Sequence, residues 1–228
     1  MEYMETRISV RELVEFLEKS GDLDGRYTGR RETKAMQAGS RLHRKIQGRM
    51  GSGYHAEVPL KLLQDLGDVV LILEGRADGI WTDEDVTLVD EIKGTYRNIL
   101  QMECPERVHL AQAKCYAYVY ALQNHLPRIR TRMVYADLET EELRFFTEEY
   151  EWEVLKDWFS DLVERYHKWL SFQAEWKEHR ETSLKMLQFP YPYREGQKDL
   201  AASVYRSILR KKRLFIQAPT GVGKTLST

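Results

Sequence analysis

The stretch LVDEIKGT, residues 88–95, sets an acid and a base two positions apart inside an apolar frame. Side chains of an extended strand alternate between faces, so Glu91 and Lys93 project on one side and Asp90 and Ile92 on the other. The strand-like segment before it, EGRADGIW, carries Asp78 between Ala77 and Gly79, small neighbours that leave room around a carboxylate. If the two strands pair across the polar TDED turn, Asp78 and Glu91 converge. Converging carboxylates repel and raise each other's pKa unless a cation lies between them. Oxygen donors of this kind suit Mg2+ or Mn2+, with waters completing the shell. Lys93 beside them can stabilise charge developing on a phosphate under attack. On its own, the octet fits an ordinary exposed cross-strand ion pair at least as well.

The elements that must position these residues follow from periodicity. Ser9 is a predicted N-cap for a helix with Val10, Leu13, Val14 and Leu17 on one face, ending by Gly21. RETKAMQAGSRLHRKIQGRM reads as a second helix, closed by the GSG turn at 51–53. YHAEVPLKLLQDL, DVVLILEGRADGIW and DVTLVDEIKGT read as three strands joined by polar turns. A helix from about Glu106 to Asn124 follows, then strands RIRTRMVYADLET and EELRFFTEEY. Trp152, Leu155, Trp158, Phe159, Leu162, Val163, Tyr166 and Leu170 mark a long amphipathic helix from Glu151 to about Leu187. The predicted class is α/β, a mixed sheet of about five strands flanked by helices. At QFPYPYREGQ two of the six prolines fall within three residues, which places a boundary near 188 and predicts two domains, 1–187 and 188–228. Beyond it, KDLAASVYRSILRKKR reads as a helix and RLFIQAP as a short strand leading into TGVGKTLST.

The chain's 35 basic and 36 acidic residues nearly cancel, so any nucleic-acid affinity must come from a local basic surface. Arg26, Arg30, Arg31, Lys34, Arg41, Arg44, Lys45 and Arg49 form one such stretch. Two cysteines, Cys104 and Cys115, are too few for an iron–sulfur cluster or a structural zinc. No stretch approaches the ~20 apolar residues of a membrane span, and no signal-peptide run opens the chain, so the cytoplasm is the expected compartment.

Asp, a gap of about a dozen residues, then Glu-x-Lys resembles the PD-(D/E)xK nuclease superfamily. Four motifs in order narrow the resemblance to its RecB-like branch: Gly39 and His43 in AGSRLH, Gly75 and Asp78 in GRAD, Glu91 and Lys93 in DEIK, and Gln112 and Tyr116 in QAKCY. The resemblance spans about residues 35–120 and implies a restriction-endonuclease-like core. It implies His43, Asp78, Glu91 and the Ile92 carbonyl as metal ligands, Lys93 as the catalytic lysine, and Gln112 and Tyr116 as residues that orient Lys93 or contact the DNA backbone. Read without it, Gln112 and Tyr116 are equally a helix packing an amphipathic tyrosine. Glu57 resembles an accessory acid of such nucleases, and Asp90 is expected to be structural. The implied reaction is phosphodiester hydrolysis by an activated water, with single-stranded DNA as the favoured substrate. Relatives that hold an iron–sulfur cluster use four cysteines, so no cluster is expected here.

APTGVGKT matches a phosphate loop except that Ala218 replaces the first glycine. Thr220, Gly221, Val222 and Gly223 would close backbone N–H groups around phosphates, Lys224 would reach the β and γ phosphates, and Thr225 would hold Mg2+. The form resembles motif I of superfamily 2 helicases, and Arg194 and Gln197 resemble the adenine-reading segment of the XPD/DinG-like group. ATP is the implied ligand. No DEAH-type acid, arginine finger or second RecA-like lobe occurs in the chain, so helicase or ATPase turnover is not expected from these 228 residues alone. The resemblance is thus to the front of a nuclease–helicase fusion acting in DNA repair or processing. The alternatives are a catalytically weak nucleic-acid-binding module, or a helicase function residing in a missing C-terminal part.

Overall fold

A computed structural model describes residues 4–21, 29–187, 191–217 and 219. The chain divides into two compact units, Met1–Ala174 and Glu175–Thr228.

The first unit is mixed α/β. Its elements run β1 (Met4–Ser9), α1 (Val10–Glu18), α2 (Gly29–Gln47), β2 (Tyr54–Asp65), β3 (Val69–Thr82), β4 (Thr87–Thr95), a short 3-10 turn (Ile99–Gln101), α3 (Arg107–Asn124), β5 (Arg128–Asp137), β6 (Leu143–Glu151) and the part up to Ala174 of the long α4 (Trp152–Lys185). The strands form one six-stranded sheet in the order β1-β3-β4-β5-β6, with β2 also on β3. β1–β3 and β4–β5 are parallel, and the other pairs are antiparallel.

Ser9 caps α1 with a full capping box: its hydroxyl accepts the Glu12 amide at 3.1 Å, and the Glu12 carboxylate accepts the Ser9 amide at 3.1 Å. This satisfies amides that the first turn cannot pair internally. Leu13 and Val14 of α1, Cys115 and Val119 of α3, and Leu155, Phe159 and Leu162 of α4 bury one face of the sheet. Leu42 and Ile46 of α2 pack the other face, against Ile92 of β4 and Val134 and Ala136 of β5. Two helix layers therefore cover opposite faces of β4, one carrying His43 and the other Gln112.

Six strands replace the expected five. The extra one, β1, reads METRIS: short, charged at alternate positions and partnered by a strand some sixty residues later in parallel register, so no local pattern marks it. In the second unit α5 (Gln197–Leu209) forms as expected. The predicted strand at 213–217 does not: these residues are exposed and irregular, because no described strand lies alongside to accept a ladder.

Candidate active site

A fork in the sheet makes the site. Along β3, β2 occupies one edge from Val70 to Trp81. The other edge is shared: β1 pairs with Val69–Glu74, and β4 pairs with Gly79–Thr82. Between them Gly75–Asp78, the GRAD motif, has no ladder partner on that edge among the described residues. β1 ends there because Ser9 turns the chain into α1, and β4 leaves because it continues along β5 through Thr95. The last β3–β4 pair is Gly79↔Asp90, so the next position faces Asp78 towards Glu91 just where the strands part.

The strand alternation also breaks here. Leu71, Leu73, Ala77 and Ile80 all join one core cluster, although strict alternation would send Ile80 to the opposite face from Ala77. The shift falls at Asp78–Gly79. Opposite it, Glu57 holds a left-handed φ of +57° inside β2, and the otherwise continuous β2–β3 register omits the Glu57–Asp78 pair. A non-glycine residue held so costs on the order of 1–3 kcal/mol and persists only where its surroundings fix it. Two groups do: Gln47 Nε2 donates to Glu57 Oε1 at 3.1 Å, and Arg76 Nε lies 2.6 Å from Glu57 Oε2. Gly75 and Gly79 flank the break for steric reasons. A Cβ on Gly75 would stand 2.6 Å from the Tyr116 ring, and one on Gly79 would overlap the Tyr54 ring.

Asp78 Oδ2 accepts the Ile92 amide at 2.6 Å, replacing the ladder bond lost at the fork. Its Oδ1 lies 3.7 Å from His43 Nδ1. Glu91 is 1% exposed; its Oε1 lies 2.6 Å from Lys93 Nζ, and its buried Oε2 has no hydrogen-bond partner among the described residues. Lys93 Nζ also donates to Gln112 Oε1 at 3.2 Å, and Gln112 Nε2 reaches the Tyr116 hydroxyl at 3.4 Å. One turn of α3 separates Gln112 from Tyr116, so the tyrosine fixes which way the amide faces. The structure thus gathers Asp78, Glu91, Lys93, Gln112 and Tyr116 with His43 at the fork. Ile92 takes part through its amide, and its side chain is buried against α2.

Electrostatics reflect crowded negative charge. Burial lifts the Glu91 carboxyl to about 8, with Asp78 adding to the rise and Lys93 opposing it. Burial also lifts Asp78, against the pull of His43, the Ile92 amide and Lys93. Asp90 belongs to the other face: fully buried, it takes a two-pronged pair with Arg132 at 2.7 and 2.8 Å.

Among the described residues no three His, Cys, Asp or Glu side chains form a ready-made metal cage. Glu91 is turned onto Lys93 instead. The donor chemistry nevertheless fits a hard divalent cation: a dehydrated carboxylate oxygen of Glu91, without a hydrogen-bond partner among the described residues, stands near the half-buried carboxylate of Asp78.

Three neighbours escaped the sequence reading. Gln47 follows His43 by one helical turn and donates to the Asp78 carbonyl at 2.8 Å. His109 sits three residues before Gln112, and its Nδ1 lies 3.0 Å from the buried Tyr135 hydroxyl, which accepts the Glu106 amide at 2.9 Å. Burial, then Lys93, holds His109 down to about 4, so it is neutral at physiological pH. The HxxQxxxY spacing on α3 was the available signal for His109; nothing local marks Gln47 or Tyr135.

In the second unit, the Arg194 amide donates to Gln197 Oε1 at 2.7 Å, a helix-start bond at α5. Thr220, Gly221, Val222, Gly223, Lys224 and Thr225 lie outside the described residues.

No family model matches the chain. A 39-residue stretch, 17% of the chain, is 54% identical to a probable ATP-dependent helicase of Methanocaldococcus jannaschii, and the chain spans 6% of that relative's length. Among solved structures the chain is similar to an alkaline exonuclease of Laribacter hongkongensis, at 14% identity and a TM-score of 0.46 over 78% of this chain and 94% of that one. It is also similar to the crystal structure of SSO0001, at 16% identity and a TM-score of 0.44 over 69% and 75% of the two chains.

Proposed function

We propose that residues 1–187 form a divalent-metal-dependent nuclease that hydrolyses phosphodiester bonds, with single-stranded DNA as substrate. The observation that carries this reading is Glu91 Oε2, without a hydrogen-bond partner among the described residues, beside Asp78 at the fork, with Lys93 held between Glu91 and Gln112.

Asp78, Glu91, His43 and the Ile92 carbonyl would hold Mg2+ or Mn2+. Bound there, the ion supplies Lewis-acid charge for the non-bridging phosphate oxygens and acidifies water. The protein's own groups do the rest. Lys93, held from the helix side by Gln112, would present its ammonium to charge growing on the phosphate. Tyr116 keeps Gln112 oriented for that role. The Ile92 amide and His43 hold Asp78 from both sides, so its carboxylate needs no reorganisation during reaction. Exposed Arg41, Arg44, Lys45 and Arg49, on and just after the helix that carries His43, offer a track for the phosphate backbone.

Residues 188–228 are read as the start of a helicase ATP-binding region, with Arg194, Gln197 and the loop Thr220–Thr225 as nucleotide contacts. A likeness to a helicase over 39 residues of the chain is in keeping with that reading, and helicase action itself would need parts outside these residues.

The test is cleavage of end-labelled single strands in Mn2+, comparing the chain with Asp78→Ala and Lys93→Ala. Cleavage abolished by both substitutions and by EDTA is the expected result. Cleavage by both variants as fast as by the unsubstituted chain would end the nuclease proposal. A second reading, binding without cleavage, is favoured by the absence of a ready-made cage among the described residues. It predicts strand retention that survives EDTA and both substitutions, with no cutting.

A further inference from the structure

We propose that Gln47 is a positioning residue of this site, acting through one side-chain amide on both Asp78 and Glu57; the inference rests on the nuclease reading above. Gln47 closes α2 one turn after His43, so the two share a helix face. His43 meets the Asp78 carboxylate, and Gln47 meets the Asp78 backbone: Nε2 donates to the Asp78 carbonyl at 2.8 Å and to Glu57 Oε1 at 3.1 Å.

These two acceptors lie across the one omitted pair in the β2–β3 register. A part-buried carbonyl whose ladder pair is omitted needs another donor, and the Gln47 amide supplies it. The second hydrogen of the same NH2 group reaches the carboxylate of the residue opposite. Arg76 takes that carboxylate's other oxygen, so Glu57 is gripped at both ends while its backbone stays left-handed.

A carboxamide suits this place. An acid there would add a third negative charge beside Glu57 and Asp78, and an apolar side chain would leave the Asp78 carbonyl unpaired. Leu42 and Ile46 lock α2 onto the sheet through Ile92, and Gln47 converts that packing into a fixed offset between the Asp78 carboxylate and its acidic neighbour. Groups that orient metal-binding carboxylates typically change metal affinity 10–100-fold when removed.

The test uses the intact chain, titrated calorimetrically with Mn2+ alone, in wild-type, Gln47→Met and Gln47→Ala forms. Methionine keeps the length and packing but cannot donate; alanine, the best helix former, serves if methionine is poorly tolerated. Expected results are an Mn2+ affinity about tenfold weaker, kcat on single-stranded DNA lowered with KM unchanged, and a metal-free melting point lowered by only a few degrees, the cost of the unpaired Asp78 carbonyl. Adding Glu57→Gly to Gln47→Met should cost less than Glu57→Gly costs alone, because both act on one clamp. Unchanged Mn2+ affinity in both Gln47 variants, with a wild-type chain that binds and cleaves, overturns the role of Gln47 only. A wild-type chain that takes up no Mn2+ overturns the nuclease reading and this role with it.

Discussion

Lys93 and Glu91 form a tight pair, Nζ to Oε1 at 2.6 Å, that leaves the second oxygen of a wholly buried carboxylate without a hydrogen-bond partner among the described residues. The lysine is shared, because Gln112 holds it from the helix side at 3.2 Å. A lysine with two anchors can give up one without losing its place.

Lys93→Met should therefore separate catalysis from binding. The expected loss in kcat is about 10²–10³-fold, the scale of removing one charge-stabilising donor. Retention of labelled single strands should change little, as filter binding would report. Gln112→Leu should lower kcat by a smaller factor, since Lys93 would keep its charge but lose its guide.

Metal-free stability should fall as pH rises. Glu91 is lifted in the folded chain to about 8, far above its unfolded value. A raised folded pKa means the folded state binds more protons, so its contribution is complete below the unfolded pKa and is lost as pH climbs through the folded one. Melting points in EDTA should thus decline between about pH 5 and pH 8. Glu91→Gln should flatten that slope, and saturating Mn2+ should offset it by binding the ionised carboxylate. A slope equally steep in Glu91→Gln would contradict the assignment.

Asp90→Asn tests the opposite face. It breaks a buried carboxylate–guanidinium pair and strands Arg132, a change that typically costs about 3 kcal/mol or more. For a chain of this size that is roughly 6–12 °C in melting point. The folded fraction should keep its Mn2+ affinity, because Asp90 points away from Asp78 and Glu91. A loss of metal binding out of proportion to stability would place Asp90 in the site.

Gly75→Ala should act through Tyr116. The new methyl meets the tyrosine ring at 2.6 Å, and overpacking of that kind costs about 1–3 kcal/mol. Displacing Tyr116 also frees the Gln112 amide, so activity should fall further than stability alone would explain. Comparing the loss of kcat with the loss of melting point in the same variant checks this.

What could be read from the sequence was whatever repeats with a short period. Alternation put Glu91 with Lys93 and sent Asp90 elsewhere, and helical spacing put Gln112 with Tyr116. The TDED turn sufficed to bring Asp78 across from Glu91. The features that aim these groups are not periodic. β1 pairs with a strand far along the chain, and without it the fork cannot be inferred. The left-handed Glu57 and the lapse of alternation at Asp78 are departures from the pattern on which strand reading depends. Gln47 belongs to the site only because α2 docks there, and docking of Leu42 and Ile46 is decided by tertiary packing. The expected strand at 213–217 failed for the converse reason, since local propensity cannot replace a neighbour to pair with.

The mouth of the fork is measured out by the length of β1. That edge strand contributes six residues and stops at the serine that starts α1. Were it to run two pairs further, its backbone would reach Arg76, and the opening would begin to zip shut from one end. Moving the cap forward by two positions is thus a way to close the notch while leaving every acidic side chain untouched. In this sheet the reach of a charged edge segment, as much as the chemistry of its acids, sets the line between an open groove and a sealed seam.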